Sequence, residues 1–199
     1  YAIDGLNPLT FHLHNLLLHL LNVALVFFLI KWLSNRWEIA FLTALLFGMH
    51  PMHVESVAWA TERKDVLYVF YLLLGLLSYL KYVQSKKIAF YFLALLLMVF
   101  SSLAKAQAVV FPVILLLMDY WQNKLNWKSL FAKVPFFLIS LFFGLLAISI
   151  QQEGGASASF ENIGGRHKFF VAGFNVLLYL VKAIIPFQLS AFHPFPEIH

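Results

Sequence analysis

Ile88–Met118 reads IAFYFLALLLMVFSSLAKAQAVVFPVILLLM, 31 residues whose single charge is Lys105. As one helix it would run roughly 46 Å, well beyond the hydrocarbon core of about 30 Å that a bilayer offers. Two helices turning near Lys105 are the economical reading. Similar runs lie on either side: Leu13–Ile30, Ile39–Met49 with an extension as far as Ala60, Val66–Leu80, Val134–Ile150 and Phe169–Ile185. The chain of 199 residues is 62% hydrophobic and 12% charged, with 22 Phe. A water-soluble fold of this size cannot bury that much apolar surface, whereas a bilayer accepts it. Stretches such as Leu16–Leu21 and Phe92–Met98 are apolar on every face. That excludes a barrel, whose strands alternate apolar and polar residues. The prediction is an all-α polytopic membrane bundle of about six or seven hydrophobic segments, some short enough to borrow interfacial Trp, Tyr and Lys at their ends.

The polar residues collect in the breaks between runs. If Lys31–Arg36 faces the cytoplasm, then Lys31, Arg36, Lys81, Lys86, Lys87, Lys124, Lys128 and Lys133 lie inside. Arg63, Lys64, Lys105, Arg166 and Lys168 lie outside, and this orientation satisfies the positive-inside rule. It predicts that His12, His14, the His50–Asp65 segment, Lys105 and the Gln151–His167 loop share the extracytoplasmic side. The Gly/Ser/Ala-rich stretch Gln151–Gly165 reads as a mobile external loop. No cysteine is present, so there is no disulfide and no thiolate metal site. The net charge of +5 is spread over loop ends and suits anionic headgroups rather than nucleic acid. The opening Tyr1-Ala2-Ile3-Asp4 reads as mid-protein, so residues 1–199 are expected to be one transmembrane domain from a larger protein.

Few ionisable residues stand beside apolar spans, and these are the candidates for function. The densest set is His50-Pro51-Met52-His53-Val54-Glu55 followed by Thr61-Glu62-Arg63-Lys64-Asp65. Pro51 cannot donate to a helix and disfavours helical backbone at His50. The chain must therefore bend there, which membranes tolerate where the backbone is buried in protein or lines a wet cavity. The segment either forms part of a site or simply ends a helix at the interface. Arg63 can grip phosphate bidentately, whereas Lys64 reads equally well as a snorkelling headgroup contact. Lys105, with Ser101 and Ser102 a turn earlier, needs an anion or a water path at membrane depth. On the first span His12, His14, Asn15, His19 and Asn22 give one polar helix face. That face either packs on other helices through hydrogen bonds or lines a cavity. No HxxxH or HExxH spacing supports a metal site. Asp119-Tyr120-Trp121 reads as a polar cap on an aromatic belt.

Five segments in order resemble one family: FHLHNLLLHLLN (Phe11–Asn22), FGMHPMHVESVAWATERKDVL (Phe47–Leu67), SLAKAQAVVFPVILLLMDYW (Ser102–Trp121), KVPFFLISL (Lys133–Leu141) and YLVKAIIPFQLSAFHPFP (Tyr179–Pro196). They look like the membrane part of the transmembrane and tetratricopeptide-repeat O-mannosyltransferase-like proteins, members of the GT-C glycosyltransferase superfamily, in a bacterial-type relative. The His50–Asp65 block is the most specific of the five. The resemblance implies a polyprenyl-phosphate-linked sugar as donor and a protein or glycan as acceptor on the extracytoplasmic face. It implies Arg63 and Lys105 near the donor phosphate; beside them, the polar residues His14, Asn15, His19, His50, His53, Glu55 and Asp65 are expected to line or support the same cavity. A divalent cation has room in such chemistry, and membrane lipid is a partner. The family's acidic catalytic pair lies before the FHLHN segment, so the general base is expected upstream of Tyr1. Asp4 does not match that pair, and the C-terminal repeats are not in this stretch. The expected membrane is a bacterial inner membrane, or the endoplasmic reticulum if the chain is eukaryotic. The competing readings are a polysaccharide ligase or polymerase, a transporter with a histidine-lined path, and a non-catalytic scaffold.

Overall fold

The computed structural model describes residues 8–59, 62–153 and 165–185. Asp4, residues 154–164 of the predicted external loop and the chain beyond Ile185 lie outside them. Among the described residues the fold is all helical: α1 (Pro8–Ser34), α2 (Trp37–Met49), a 3-10 turn (Pro51–His53), α3 (Val54–Ala58), α4 (Arg63–Ser85), α5 (Ile88–Ala104), a second 3-10 turn (Ala106–Val110), α6 (Phe111–Trp121), α7 (Trp127–Ala132), α8 (Val134–Glu153) and α9 (Gly165–Ile184). Leu9–Ser34, Arg63–Ser85 and Trp127–Gln152 are each long and apolar enough to cross a bilayer. Trp37–Met49, Ile88–Ala104, Ala106–Trp121 and Gly173–Ile184 are shorter apolar helices. The predicted hydrophobic segments are therefore all helices, three of them at full spanning length.

The turn at Lys105 has a physical cause about two turns later. A helix running on through Pro112 would lose the bond to the Ala108 carbonyl and clash with it. Instead α5 stops at Ala104 and Lys105 is extended (φ −156°, ψ 131°). The chain then restarts as α6 with Pro112 in its first turn, where a missing N–H costs nothing. The backbone N–H of Lys105 closes α5 on the Ser101 carbonyl at 3.0 Å. Two other reversals are hairpins through left-handed residues, Asn35 (φ 54°) and Lys86 (φ 58°). The connections make α1 and α2, and α4 and α5, antiparallel neighbours.

Packing uses small residues as membrane helices do. Ala40, Ala44 and Gly48 repeat every four residues on α2, and a Cβ on Gly48 would come to 3.0 Å of Val23 on α1. Gly75 on α4 admits the ring of Phe111, whose edge lies 2.8 Å from where a Cβ would sit. Phe111 in turn stacks on Phe136 of α8 at 5.8 Å, nearly parallel. Around this pair Leu73, Leu76, Tyr79 and Leu80 of α4 meet Met98 of α5, Leu115 of α6 and their neighbours in one core. The outward faces, such as Leu138, Leu141, Phe142 and Leu145 of α8, are apolar and exposed. In a monomer in water such a surface would be a liability; in a bilayer it meets acyl chains.

One reading needs correction. Asp119, read above as an interfacial polar cap, is buried, and so is Lys133, counted above among the inside cations. Asp119 accepts from Lys133 Nζ, from Ser129 Oγ and from Tyr79 OH, the last at 2.9 Å. The other Lys133 contacts are Ser129 Oγ at 2.7 Å and the Ser129 carbonyl at 3.2 Å. Asn126 Oδ1 accepts from the Ser129 N–H at 2.8 Å and so fixes that residue. The network ties α4, α6, α7 and the turn that leads into α8 together at the hairpin end of the bundle. Tyr120 and Trp121 do project outward as the belt reading expects.

The bundle thus has two polar ends. Lys31, Arg36, Lys81, Lys86, Lys87 and the α6–α8 connection share the hairpin end, where Trp121 Nε1 donates to the Leu33 carbonyl (3.3 Å) and Tyr91 OH to the Ala132 carbonyl (2.8 Å). The 50–65 segment and Lys105 share the opposite, connector end.

Candidate functional site

The connector end is assembled around a polar face of α1. Asn15, His19 and Asn22 follow one another at spacings of four and three and are all buried. Each donates to a backbone carbonyl of a different segment: Asn15 Nδ2 to Trp59 at 3.2 Å, His19 Nε2 to Gly48 at 3.1 Å, and Asn22 Nδ2 to Val66 at 2.8 Å. Because a carbonyl only accepts, His19 carries its proton on Nε2. The face therefore serves as helix packing. It also lines a cavity of about 90 Å³ with His53, Ser56, Asp65 and Tyr68, and Asn22 Oδ1 has no partner among the described residues. That volume admits a few waters and falls well short of the roughly 300 Å³ at which small-molecule pockets begin. His12 and His14 point outward and are exposed.

Pro51 bends the chain as its chemistry demands, and His50 caps the bend. His50 Nδ1 accepts from the Met52 N–H at 3.3 Å while Nε2 donates to the Ala183 carbonyl at 3.0 Å. That carbonyl is in the last turn of α9. Both nitrogens of His50 are committed, and the end of α9 is held on the connector side. His53 packs its ring against Phe47 (4.5 Å), His19 (5.6 Å) and His50 (6.1 Å). Burial, and then the neighbouring His19 and His50, hold its pKa below the usual histidine value. Glu55 is exposed and is not among the residues around the cavity.

The cations sit at the start of α4 and the end of α5. Lys105 Nζ lies 2.5 Å from Asp65 Oδ1, with both side chains about three-quarters buried. Ser56 Oγ reaches the other carboxylate oxygen at 3.4 Å, and the Tyr68 ring stands 5.9 Å from Lys105 Nζ. Ser101 Oγ donates to the Tyr68 carbonyl at 2.8 Å, which sets the end of α5 against α4. Two residues before Asp65, the Arg63 guanidinium lies over the Phe11 ring at 5.4 Å. Its Nε is buried with no hydrogen-bond partner among the described residues. Lys64 pairs with Glu62 at 3.4 Å near the surface, a contact worth little.

Of the residues singled out in the sequence, Asn15, His19, His50, His53, Arg63, Asp65 and Lys105 are therefore gathered at one end. Ser56 and Tyr68 join them unannounced. Tyr68 had a signal, since it lies three residues after Asp65 on the same helix face; Ser56 had none. Chemically, Lys105 and Asp65 neutralise each other, and Arg63 leaves the immediate group one positive charge in excess. No group of three His, Cys, Asp or Glu among the described residues is close enough to hold a metal ion.

No family model matches the chain, and no solved structure does. Curated proteins do. The chain is 42% identical over 78 residues to Protein O-mannosyl-transferase TMTC1 of Homo sapiens, covering 39% of this chain and 9% of that protein. It is 38% identical over 86 residues to Protein O-mannosyl-transferase TMTC2 of Homo sapiens, covering 43% and 10%. To Protein O-mannosyl-transferase F38B6.6 of Caenorhabditis elegans it is 25% identical over 177 residues, covering 87% and 24%. The chain is a partial homologue of proteins so named, and it spans between about a tenth and a quarter of their length. It is a helical membrane protein by the length and apolarity of its helices.

Proposed function

We propose that this chain is the membrane core of a GT-C glycosyltransferase that takes a sugar from a polyprenyl-phosphate donor and passes it to a protein or other acceptor on the extracytoplasmic face. The observation that carries the reading is Arg63. A buried guanidinium nitrogen without a partner among the described residues, one excess positive charge there and a rim of apolar helices suit an anionic phosphate on a lipid tail. The names of the similar proteins support sugar transfer to protein. Arg63 and Lys105 stabilise the leaving phosphate, a divalent cation being an optional third charge, and the carboxylate base that deprotonates the acceptor hydroxyl is supplied from outside this stretch. The extracytoplasmic placement rests on the Lys/Arg distribution. The three similar proteins quoted are from animals and lend no support to a bacterial inner membrane over the endoplasmic reticulum.

In the full-length protein, Arg63→Ala or Lys105→Ala should weaken donor binding more than acceptor binding. Loss of one charge-assisted contact costs roughly 1.5–3 kcal/mol, about ten- to a hundredfold. Lys64→Ala, whose side chain is already paired at the surface, should cost far less. Donor affinity unchanged in both variants would end the phosphate-clamp reading. The Asp65–Lys105 contact favours a second reading, a scaffold in which Lys105 only ties α5 to α4. Asp65→Asn separates them. If phosphate competes with the carboxylate for Lys105, donor affinity rises in that variant; if the pair is a tie alone, only thermal stability changes.

A further inference from the structure

At the hairpin end, away from the candidate site, α1, α4 and α5 leave a groove of about 680 Å³ open to the side of the bundle. Its volume is within the range of about 300–1,000 Å³ that holds small molecules. The polarity of the lining is graded along the helices. The deeper part is apolar, formed by Phe28, Leu74, Leu77 and Leu93. The rim, a turn or more nearer the helix ends, carries Lys31 and Lys81 with Asn35 beside them. No acidic residue lines the groove. The two lysines meet aromatic faces instead of carboxylates: Lys81 Nζ stands 4.5 Å from the Phe90 ring and Lys31 Nζ 5.9 Å from the Phe27 ring. Among the described residues neither has an ion-pair partner. Trp32, part of the same lining and partly exposed, is the side chain that favours the headgroup level.

We infer that this groove holds one anionic glycerophospholipid, with its phosphate between Lys31 and Lys81 and an acyl chain along Leu74, Leu77 and Leu93. The charge is what commits the occupant. Two unpaired ammonium groups at the mouth of an apolar slot match a lipid whose headgroup bears net negative charge, and a zwitterionic lipid brings its own cation into the same space. Basic pockets between membrane helices are the usual recognition device for such headgroups. The proposed orientation puts this end in the cytoplasmic leaflet, where anionic lipids concentrate. Lipid selection by the groove does not depend on that orientation.

The test is native mass spectrometry of the delipidated full-length protein titrated with phosphatidylglycerol or phosphatidylcholine of the same acyl chains. One phosphatidylglycerol should bind at least about fivefold more tightly than phosphatidylcholine. Lys31→Gln and Lys81→Gln, both at exposed positions where folding is not at risk, should each weaken phosphatidylglycerol about fivefold and together about twenty-fivefold, at roughly one lysine's electrostatic share each. Lys128→Gln, exposed at the same end but outside the groove, should change nothing. Equal affinity for the two lipids, an unaltered double variant, or a loss in Lys128→Gln as large as in the double variant would each overturn the inference. Neither groove lysine belongs to the connector end, so the outcome leaves the glycosyltransferase reading to its own test.

Discussion

Replacing Lys133 by Met should be among the most damaging single changes in this bundle. The side chains of Lys133 and Asp119 are 0% and 2% exposed, so neither charge has water to fall back on. Lys133 supplies three hydrogen bonds, to Asp119 Oδ2, Ser129 Oγ and the Ser129 carbonyl. Methionine fills much the same volume and removes all three. Among the described residues it leaves a buried carboxylate with one oxygen unpartnered and the other held only by Tyr79 and Ser129. Removing one partner of a buried pair costs about 3–5 kcal/mol. For a chain of this size each kcal/mol moves the midpoint by roughly 2–4 °C, so the thermal midpoint in detergent should fall by about 6–20 °C. The double variant Asp119→Leu/Lys133→Met removes both charges and should recover most of that loss, because apolar replacements of buried pairs are often near neutral. It keeps a deficit of about 1–2 kcal/mol, since Tyr79 and Ser129 each lose an acceptor. A single variant within 2 °C of wild type, at the low end of one kcal/mol, or a double variant as unstable as the single one, would refute the account of this network as a charge-satisfied lock.

Two further outcomes follow from the packing and the histidine cluster. Gly75→Ala should destabilise by on the order of 1–3 kcal/mol, because the new methyl would lie 2.8 Å from a Phe111 ring that is fully buried against Phe136; thermal unfolding of the variant at wild-type stability would show that the ring can retreat. The lowered pKa of His53 sets a pH dependence. The unfolded chain takes up a proton near pH 6.5 while the folded one resists it, so stability is full above about pH 6.5 and falls as pH drops from there toward the folded value. His53→Gln should flatten the difference between midpoints measured at pH 7.5 and 5.5, and an undiminished difference would assign the effect elsewhere.

The helices were legible because hydrophobic length is a local property. Ile88–Met118 is too long for one span whatever surrounds it, and Lys105 is the one charge at which it can turn. What was not legible was the state of each charge. Lys105 and Lys133 look alike in sequence, each a lone cation beside an apolar run. One sits at a partly open rim with Asp65, and the other is sealed with Asp119. Asp119 is the sole carboxylate between Asp65 and Glu153. A lone acid next to spanning helices needs a cation, and Lys133 stands just beyond a short connection, so the pair could have been argued from cost alone.

The same reasoning explains why the candidate site was readable as a group and unreadable as contacts. Polar residues beside apolar spans must either reach water or find one another. That places Asn15, His19, His53, Arg63, Asp65 and Lys105 at a common end without saying who bonds whom. The bonds were decided by carbonyls that carry no sequence label: Trp59, Gly48 and Val66 for α1, and Ala183 for His50. Once those are assigned, most of the polar face is committed to holding helices together. Arg63 is different. Its Nε has no partner among the described residues, and it has an aromatic ring in place of a carboxylate. A charge taken partly out of water without an anion is a cost, which the Phe11 ring offsets only in part. On the proposed function, a ligand that brings the anion offsets that cost, and a phosphate carried on a lipid tail is a ligand of that kind.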